Sequence, residues 1–288
     1  MRLINKVTFD EKLHSGKIAY DNMAKLQKLV AESSGGGTVE VATEGRFGNT
    51  FVFLIPCLPF LASYLGKAVK VTVSSSIYEK LGRLNFLEGD YFTPFQYAPE
   101  IKFVRLEKEQ QALETAKNIV YKDIRIEMSP KLQKNMVSLV GEVFNNALEH
   151  SGGAHVLAGR YKKPKDRTFS FACYDTGVGI PKNVRNSLGV NQEMSDSQAI
   201  EWALQEGNTT TKQNRLAGQG FSLLQDFARI NKGIIRICSG RILYTYDCRK
   251  GDPTKGRFEI LKNEFYGTLF EMDIYPDRGA VYRYKGEV

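Results

Sequence analysis

Glu142 and Asn146 lie four residues apart within the stretch Val140 to His150, so on a helix their side chains share one face, a turn from each other. An amide oxygen beside a carboxylate is what a hydrated Mg2+ can use: the Asn146 oxygen binds the ion, and Glu142 stays free to orient or deprotonate a nucleophile. Leu139, Val143 and Ala147 line an adjoining apolar face. A Glu and an Asn on the exposed side of a helix are also ordinary surface residues, so the pair alone decides nothing. Asp175 ends an apolar run in Cys173-Tyr174-Asp175-Thr176-Gly177-Val178-Gly179-Ile180-Pro181. A carboxylate at a strand end can accept a hydrogen bond from the exocyclic amine of adenine. Gly177 and Gly179 would let the backbone turn sharply and approach the ring without side-chain interference. An Asp-Thr-Gly turn after a strand is equally common punctuation. The third stretch, Glu206 to Phe221, is polar and runs straight into a helix. Backbone N–H groups at Gly218, Gln219, Gly220 and Phe221 would present the positive end of that helix to phosphates, with Lys212 and Arg215 adding charge. A surface loop is its ordinary alternative.

These residues need elements to position them. Apolar residues at Ile18, Met23, Leu26, Leu29 and Val30 predict a helix over Lys17 to Ala31, stopped by Ser33-Ser34-Gly35-Gly36-Gly37. Thr38 to Ala42 reads as a short strand, Thr50 to Leu65 as a helix and Ala68 to Val73 as a buried strand. Ser74, Ser75 and Ser76 can cap a further helix, Ile77 to Leu84. This order implies a small α/β layer structure, and the aromatic, Pro-containing segment Tyr91 to Pro99 reads as an irregular connection. Beyond it, Glu107 to Tyr121 is amphipathic, and Ser129-Pro130 opens a long helix to His150, with Ser as cap and Pro at the first helical position. Strands are expected at His155 to Tyr161 and Thr168 to Tyr174, with a hairpin turn within the basic stretch Arg160 to Arg167. A Gly-rich loop follows, then helices at Ser197 to Gln205 and Phe221 to Ile230. Four β-type runs near Gly233, Arg241, Gly256 and Thr268 close the chain. The fold class is α/β and α+β: a small α/β module over 1–103, then an α+β sandwich over 104–288.

The order and spacing of the three stretches resemble the GHKL ATPases: gyrase B, the ninety-kilodalton heat-shock chaperones, histidine kinases, MutL and the anti-sigma-factor serine kinases. Glu142 to His150 is similar to the family's N-box. Asp175 to Pro181 is similar to its first glycine box, and Gly218-Gln219-Gly220-Phe221-Ser222-Leu223-Leu224 to its second. Gly267-Thr268-Leu269-Phe270 matches a last strand where the family commonly has a hydroxyl near adenine. The resemblance covers roughly Glu107 to Pro276 and implies a Bergerat-type sandwich holding ATP through Mg2+. It implies that Asn146 coordinates Mg2+, that Asp175 binds the adenine amine, and that Gly177, Gly179, Gly218 and Gly220 shape the pocket and lid. Glu142 would be the general base. Ile180, Lys212, Gln219, Phe221 and Thr268 complete the implied nucleotide-binding set. The second box departs from many kinases, having only Gly-x-Gly in place of a longer glycine run.

Composition bounds the rest. Hydrophobic residues at 42% and charged residues at 25% are those of a globular protein. A net charge of +8 raises a nucleic-acid partner, but the basic residues are scattered and no block of them forms. Cys57, Cys173, Cys238 and Cys248 are widely spaced, with no metal-type pairing, and read as reduced buried thiols. Neither a signal core nor a spanning segment is present, because Pro56 and Pro59 interrupt the most hydrophobic stretch, Phe51 to Leu65. A cytoplasmic protein is expected.

The helix Glu107 to Tyr121 lacks a phosphorylatable His, which disfavours a sensor kinase. The short remainder after Pro276 disfavours a gyrase- or MutL-type machine. Phe51 to Leu87 resembles STAS domains in its order of elements, without a diagnostic motif. Together these readings imply a regulatory ATP-binding protein that hydrolyses ATP slowly and switches a protein partner of STAS or transcription-regulatory type, with a homodimer left open. The alternative enzyme is a protein serine kinase of the anti-sigma type. A nucleic-acid-associated ATPase is the third reading.

Overall fold

A computed structural model describes residues 4–9, 16–33, 37–43, 53–73, 101–124, 127–152, 154–163, 168–190, 193–205, 207–208, 210, 219–251, 253, 255–275 and 281–283. The expected helix at Ile77 to Leu84, its capping serines, the connection Tyr91 to Pro99, the tip of the Arg160 to Arg167 turn, Lys212 and Gly218 lie outside these residues.

Strands β1 (Ile4–Phe9), β2 (Thr38–Thr43) and β3 (Lys70–Val73) form a parallel sheet in that order. Parallel neighbours require a crossover, which α1 (Lys17–Glu32) makes between β1 and β2. Its buried stripe, Tyr20, Met23, Ala24, Gln27 and Val30, follows the three-and-four spacing of one helical face. Ile18, read with that stripe, is instead half exposed. The helix expected from Thr50 to Leu65 is broken into a 3-10 turn, Ile55–Cys57, and α2 (Leu58–Tyr64). Pro56 and Pro59 each lack an N–H and fit only a first turn, so they divide the segment.

The larger sheet is antiparallel, in the order β4-β6-β7-β9-β8: β4 (Ile101–Leu106), β6 (Val156–Lys163), β7 (Thr168–Asp175), β8 (Ile234–Asp247) and β9 (Arg257–Ile274). β4 spans the expected boundary at 103/104. A two-residue parallel pair joins β5 (Glu127–Met128) to β10 (Val281–Tyr282). The four expected terminal runs are two long strands. The runs near Gly233 and Arg241 are both β8, and those near Gly256 and Thr268 are both β9. A bulge at Ser239 and Gly240 and the positive φ of Gly267 interrupt the alternation that would have marked them as continuous.

Alternation along the strands separates two cores. On β7, Phe169, Phe171 and Cys173 pack toward α3 (Glu109–Lys117), α4 (Pro130–His150) and α7 (Gln219–Ile230). Ala172 and Tyr174 pack toward α1 and the parallel sheet. A π-helical turn, Asn118–Asp123, extends α3. α4 starts at Ser129, whose hydroxyl accepts from the Leu132 N–H at 3.2 Å, and Pro130 occupies the first turn. Val137, Val140 and Phe144 bury one of its faces, leaving Glu142 and Asn146 exposed on another.

Polar contacts fasten α1 to the opposite face of the sheet. The Tyr20 hydroxyl donates to Glu271, and Asp21 Oδ1 accepts from the Lys262 N–H at 2.6 Å. Nearby, Asp273 takes Arg236 at 2.7 Å and the Ser170 hydroxyl at 2.5 Å. The four cysteines are buried thiols, none of them in a disulfide. Among the described residues no helix is long and apolar enough to cross a membrane. The chain is thus a mixed α/β structure with a predominantly antiparallel main sheet and helices on both of its faces.

Candidate functional site

α4, the ends of β7 and β9, and the helices α5 (Ile180–Leu188), α6 (Asp196–Leu204) and α7 surround a cavity of about 260 Å3. α5 was expected to be part of a loop. Gly179 and Pro181 look like loop formers in sequence, yet Pro181 sits in the first turn of this helix, where a missing N–H is harmless.

Asp175 forms the floor. It ends β7 with the parity of Phe171 and Cys173, so its carboxyl faces the cavity, where it is 7% exposed. The Gly177 N–H donates to its Oδ1 at 2.9 Å, and the hydroxyl and N–H of Thr268 also donate to the carboxylate. Burial outweighs these bonds and raises the carboxyl from 3.8 to about 7. The turn behind Asp175 is locked by a reciprocal pair, Thr176 N–H to His155 O at 3.0 Å and His155 N–H to the Thr176 hydroxyl at 3.1 Å.

The glycines do more than turn the chain. A Cβ on Gly177 would stand 2.6 Å from the Ser151 carbonyl oxygen, so this residue is kept small by the end of α4, and it is not among the cavity-lining residues. Gly179 has φ +80°, and a Cβ there would meet the Ser239 hydroxyl at 2.8 Å. That hydroxyl accepts from the Ile180 N–H at 2.9 Å, donates to the Gly267 carbonyl at 2.9 Å and lies 3.2 Å from the Thr268 hydroxyl. Ser239 thus ties α5, β8 and β9 together beneath Asp175. Sequence reasoning missed it, since a serine before a glycine in a strand carries no distinguishing pattern.

Glu142, Asn146 and the neighbouring Asn145 line the cavity from α4. The Asn145 side-chain oxygen is buried and has no hydrogen-bond partner among the described residues. His150 closes this wall: its Nδ1 lies 3.2 Å from the Thr210 hydroxyl, and its carbonyl accepts from Asn183. Burial lowers its pKa, which favours the neutral imidazole. Ile180, Phe221, Thr268 and Trp202 are among the other lining residues. Trp202 and Asn183 were also missed, since a lone aromatic and a lone amide on helices are ordinary. Gln219 and Gly220 begin α7.

No family model matches this chain, and no curated protein does. Among solved structures it is similar to the ATP-binding domain of topoisomerase IV from Francisella tularensis, in complex with a small-molecule inhibitor. Identity is 18% over 65% of this chain and 45% of that one, with a TM-score of 0.28. It is also similar to the 43K ATPase domain of Thermus thermophilus gyrase B, in complex with an aminocoumarin. There identity is 14% over 62% of this chain and 44% of that one, again with a TM-score of 0.28. This chain therefore spans less than half the length of either structure, and TM-scores of this size do not establish a common fold.

Proposed function

We propose that the cavity binds ATP with Mg2+ in the manner of a GHKL nucleotide site. The observation that best supports this is the convergence on one cavity of the buried Asp175, its strand partner Thr268 and the exposed Glu142–Asn146 face of α4. An ionised Asp175 accepts from the exocyclic amine of adenine. Guanine carries a carbonyl at the equivalent position, which that carboxylate repels. Ile180 and Phe221 offer apolar surface to the base, and the start of α7 at Gln219 and Gly220 offers its positive end to phosphates. The GHKL resemblance would add Lys212 and Gly218, which lie outside the described residues, to the phosphate-binding set.

The donor set fits Mg2+, a hard cation that takes oxygen ligands and keeps several waters. Asn146 would hold it, with the buried Asn145 oxygen, which has no hydrogen-bond partner among the described residues, alongside. When bound, the ion neutralises charge on the β- and γ-phosphates. Glu142 takes the proton of the attacking hydroxyl, and its exposure at the cavity leaves room for water or a protein side chain to reach it.

The proposed biological role is regulatory. Residues 1–103, a STAS-like module, and 104–288, the ATP-binding domain, together switch a protein partner of STAS or transcription-regulatory type, with slow hydrolysis resetting the state and a homodimer as one assembly. The alternative is a serine kinase of the anti-sigma type, which the exposure of Glu142 also suits. Calorimetric titration with ATP, with and without Mg2+, tests the first step, and absence of saturable binding at millimolar ATP overturns it. Labelled ATP with candidate partners then separates the roles: free phosphate marks a hydrolase and phosphoprotein marks a kinase.

A further inference from the structure

The ladder between β8 and β9 skips two residues beside the cavity. Ser239 pairs with Thr268, but the next residue, Gly240, pairs with Phe265, leaving Tyr266 and Gly267 outside the backbone register with β8. β7 does not reach them either, since its last pair is Asp175 with Thr268. Main-chain groups in such a position need partners from elsewhere. For Tyr266, Gln27 on α1, 239 residues away in sequence, supplies a partner to each main-chain group. The Tyr266 N–H donates to Gln27 Oε1 at 2.9 Å, and Gln27 Nε2 donates to the Tyr266 carbonyl at 3.2 Å. Gln27 Nε2 also donates to the Tyr174 hydroxyl at 2.9 Å, and that hydroxyl donates to the Tyr266 carbonyl at 3.0 Å. Gln27 is 1% exposed.

The segment held in this way reaches the cavity within two residues. Gly267 has φ +80° and lies so close to β7 that a Cβ would stand 1.9 Å from the Asp175 carbonyl oxygen. Its own carbonyl accepts from Ser239, which in turn holds the Ile180 N–H. Thr268 then donates to the Asp175 carboxylate. We propose that Gln27 is a positioning residue of the nucleotide site: by acting as the missing ladder neighbour of Tyr266, the amino-terminal helix sets the path of β9 that places Thr268 on Asp175. This rests on the proposed binding of ATP and deepens it, because it makes α1 a support of the base-recognition floor.

Gln27→Met keeps the volume and removes the hydrogen bonds, and Gln27→Glu keeps the acceptor for the Tyr266 N–H. Tyr20→Phe is the control, since it weakens the same helix–sheet contact at Glu271. Affinities for ATP, GTP and inorganic tripolyphosphate are measured for all four proteins, together with melting temperature and hydrogen exchange at the Tyr266 amide. Gln27→Met should lower the ATP-over-GTP ratio about 10-fold, the effect of losing one well-placed hydrogen bond. It should speed exchange at Tyr266 and leave tripolyphosphate binding unchanged. Gln27→Glu should fall between, and Tyr20→Phe should lower the melting temperature without moving the ratio. An unchanged ratio in Gln27→Met, or an equal fall in Tyr20→Phe, overturns the positioning role. Should Gln27→Met not fold, Gln27→Glu becomes the deciding variant, and an unchanged ratio with unchanged Tyr266 exchange overturns the role there. Failure of the unaltered protein to bind ATP would instead remove the reading on which the inference rests.

Discussion

Tyr174 and Asp175 are consecutive on β7 and serve opposite faces of the sheet: the Tyr174 hydroxyl bonds Gln27 of α1, while the Asp175 carboxyl floors the cavity. Period-two geometry makes this unavoidable once either residue is placed. A displacement of α1 therefore acts on the strand that carries Asp175, through one side chain and across one backbone unit.

Asp175→Asn replaces an ionisable acceptor by an amide that fits adenine less well and guanine better. ATP affinity should fall by 10- to 100-fold, roughly the value of a hydrogen bond to a charged group. GTP should lose less, so the ATP-over-GTP ratio, read by competition titration, narrows.

The same carboxyl predicts a pH dependence. Folded Asp175 titrates near 7 against an ordinary 3.8, so between these values the folded free protein retains a proton that the unfolded chain has released. Its contribution to stability is complete below the unfolded value and is lost as pH rises through about 7. ATP binding runs the other way, since the ionised form is the acceptor, and affinity should climb through the same range and then level. Urea midpoints and titrations at several pH values, compared with Asp175→Asn, isolate this component from the neighbouring His150.

Gly267→Ala puts a methyl group where the Asp175 carbonyl stands, at a positive φ that L residues rarely adopt. Destabilisation of about 3 kcal/mol or more is expected in denaturant unfolding, from overpacking and backbone strain together. Gly207, also at positive φ but with no atom of the described residues within 4 Å of its Cβ position, should lose about 1 kcal/mol on the same change.

Glu142→Ala removes an exposed side chain, so stability should stay within about 0.5 kcal/mol of the parent. ATP binding should persist while turnover disappears in a phosphate-release assay. Turnover at the parent rate would remove Glu142 from the role of general base.

Much of the main sheet's helical cover was legible because its signals are local. Ser129-Pro130 marks the start of α4 through a cap hydroxyl and a residue that needs no N–H. Asp175-Thr176-Gly177 marks the end of β7. The strand Ile101–Leu106 and the helix Ile180–Leu188 were not legible: the first looks like the tail of an irregular segment, and the second begins with residues that usually end helices. The division of β8 and β9 into four runs had a similar cause, since a bulge shifts side chains to the other face and breaks the alternation from which a strand is read.

The amino-acid sequence by itself determined the chemistry on offer and its order along the chain: a Glu–Asn pair on one helical face, a carboxylate at a strand end and a glycine-rich entry to a helix. These are short-range patterns, written in spacings of two to four residues. Only the tertiary structure decided that Glu142, Asn146, Asp175 and Thr268 share one cavity, that Ser239 braces its floor, and that Gln27 supplies the ladder partner Tyr266 lacks. Those relationships join residues far apart in the chain through sheet register and helix docking. Packing sets both, and no local pattern encodes them.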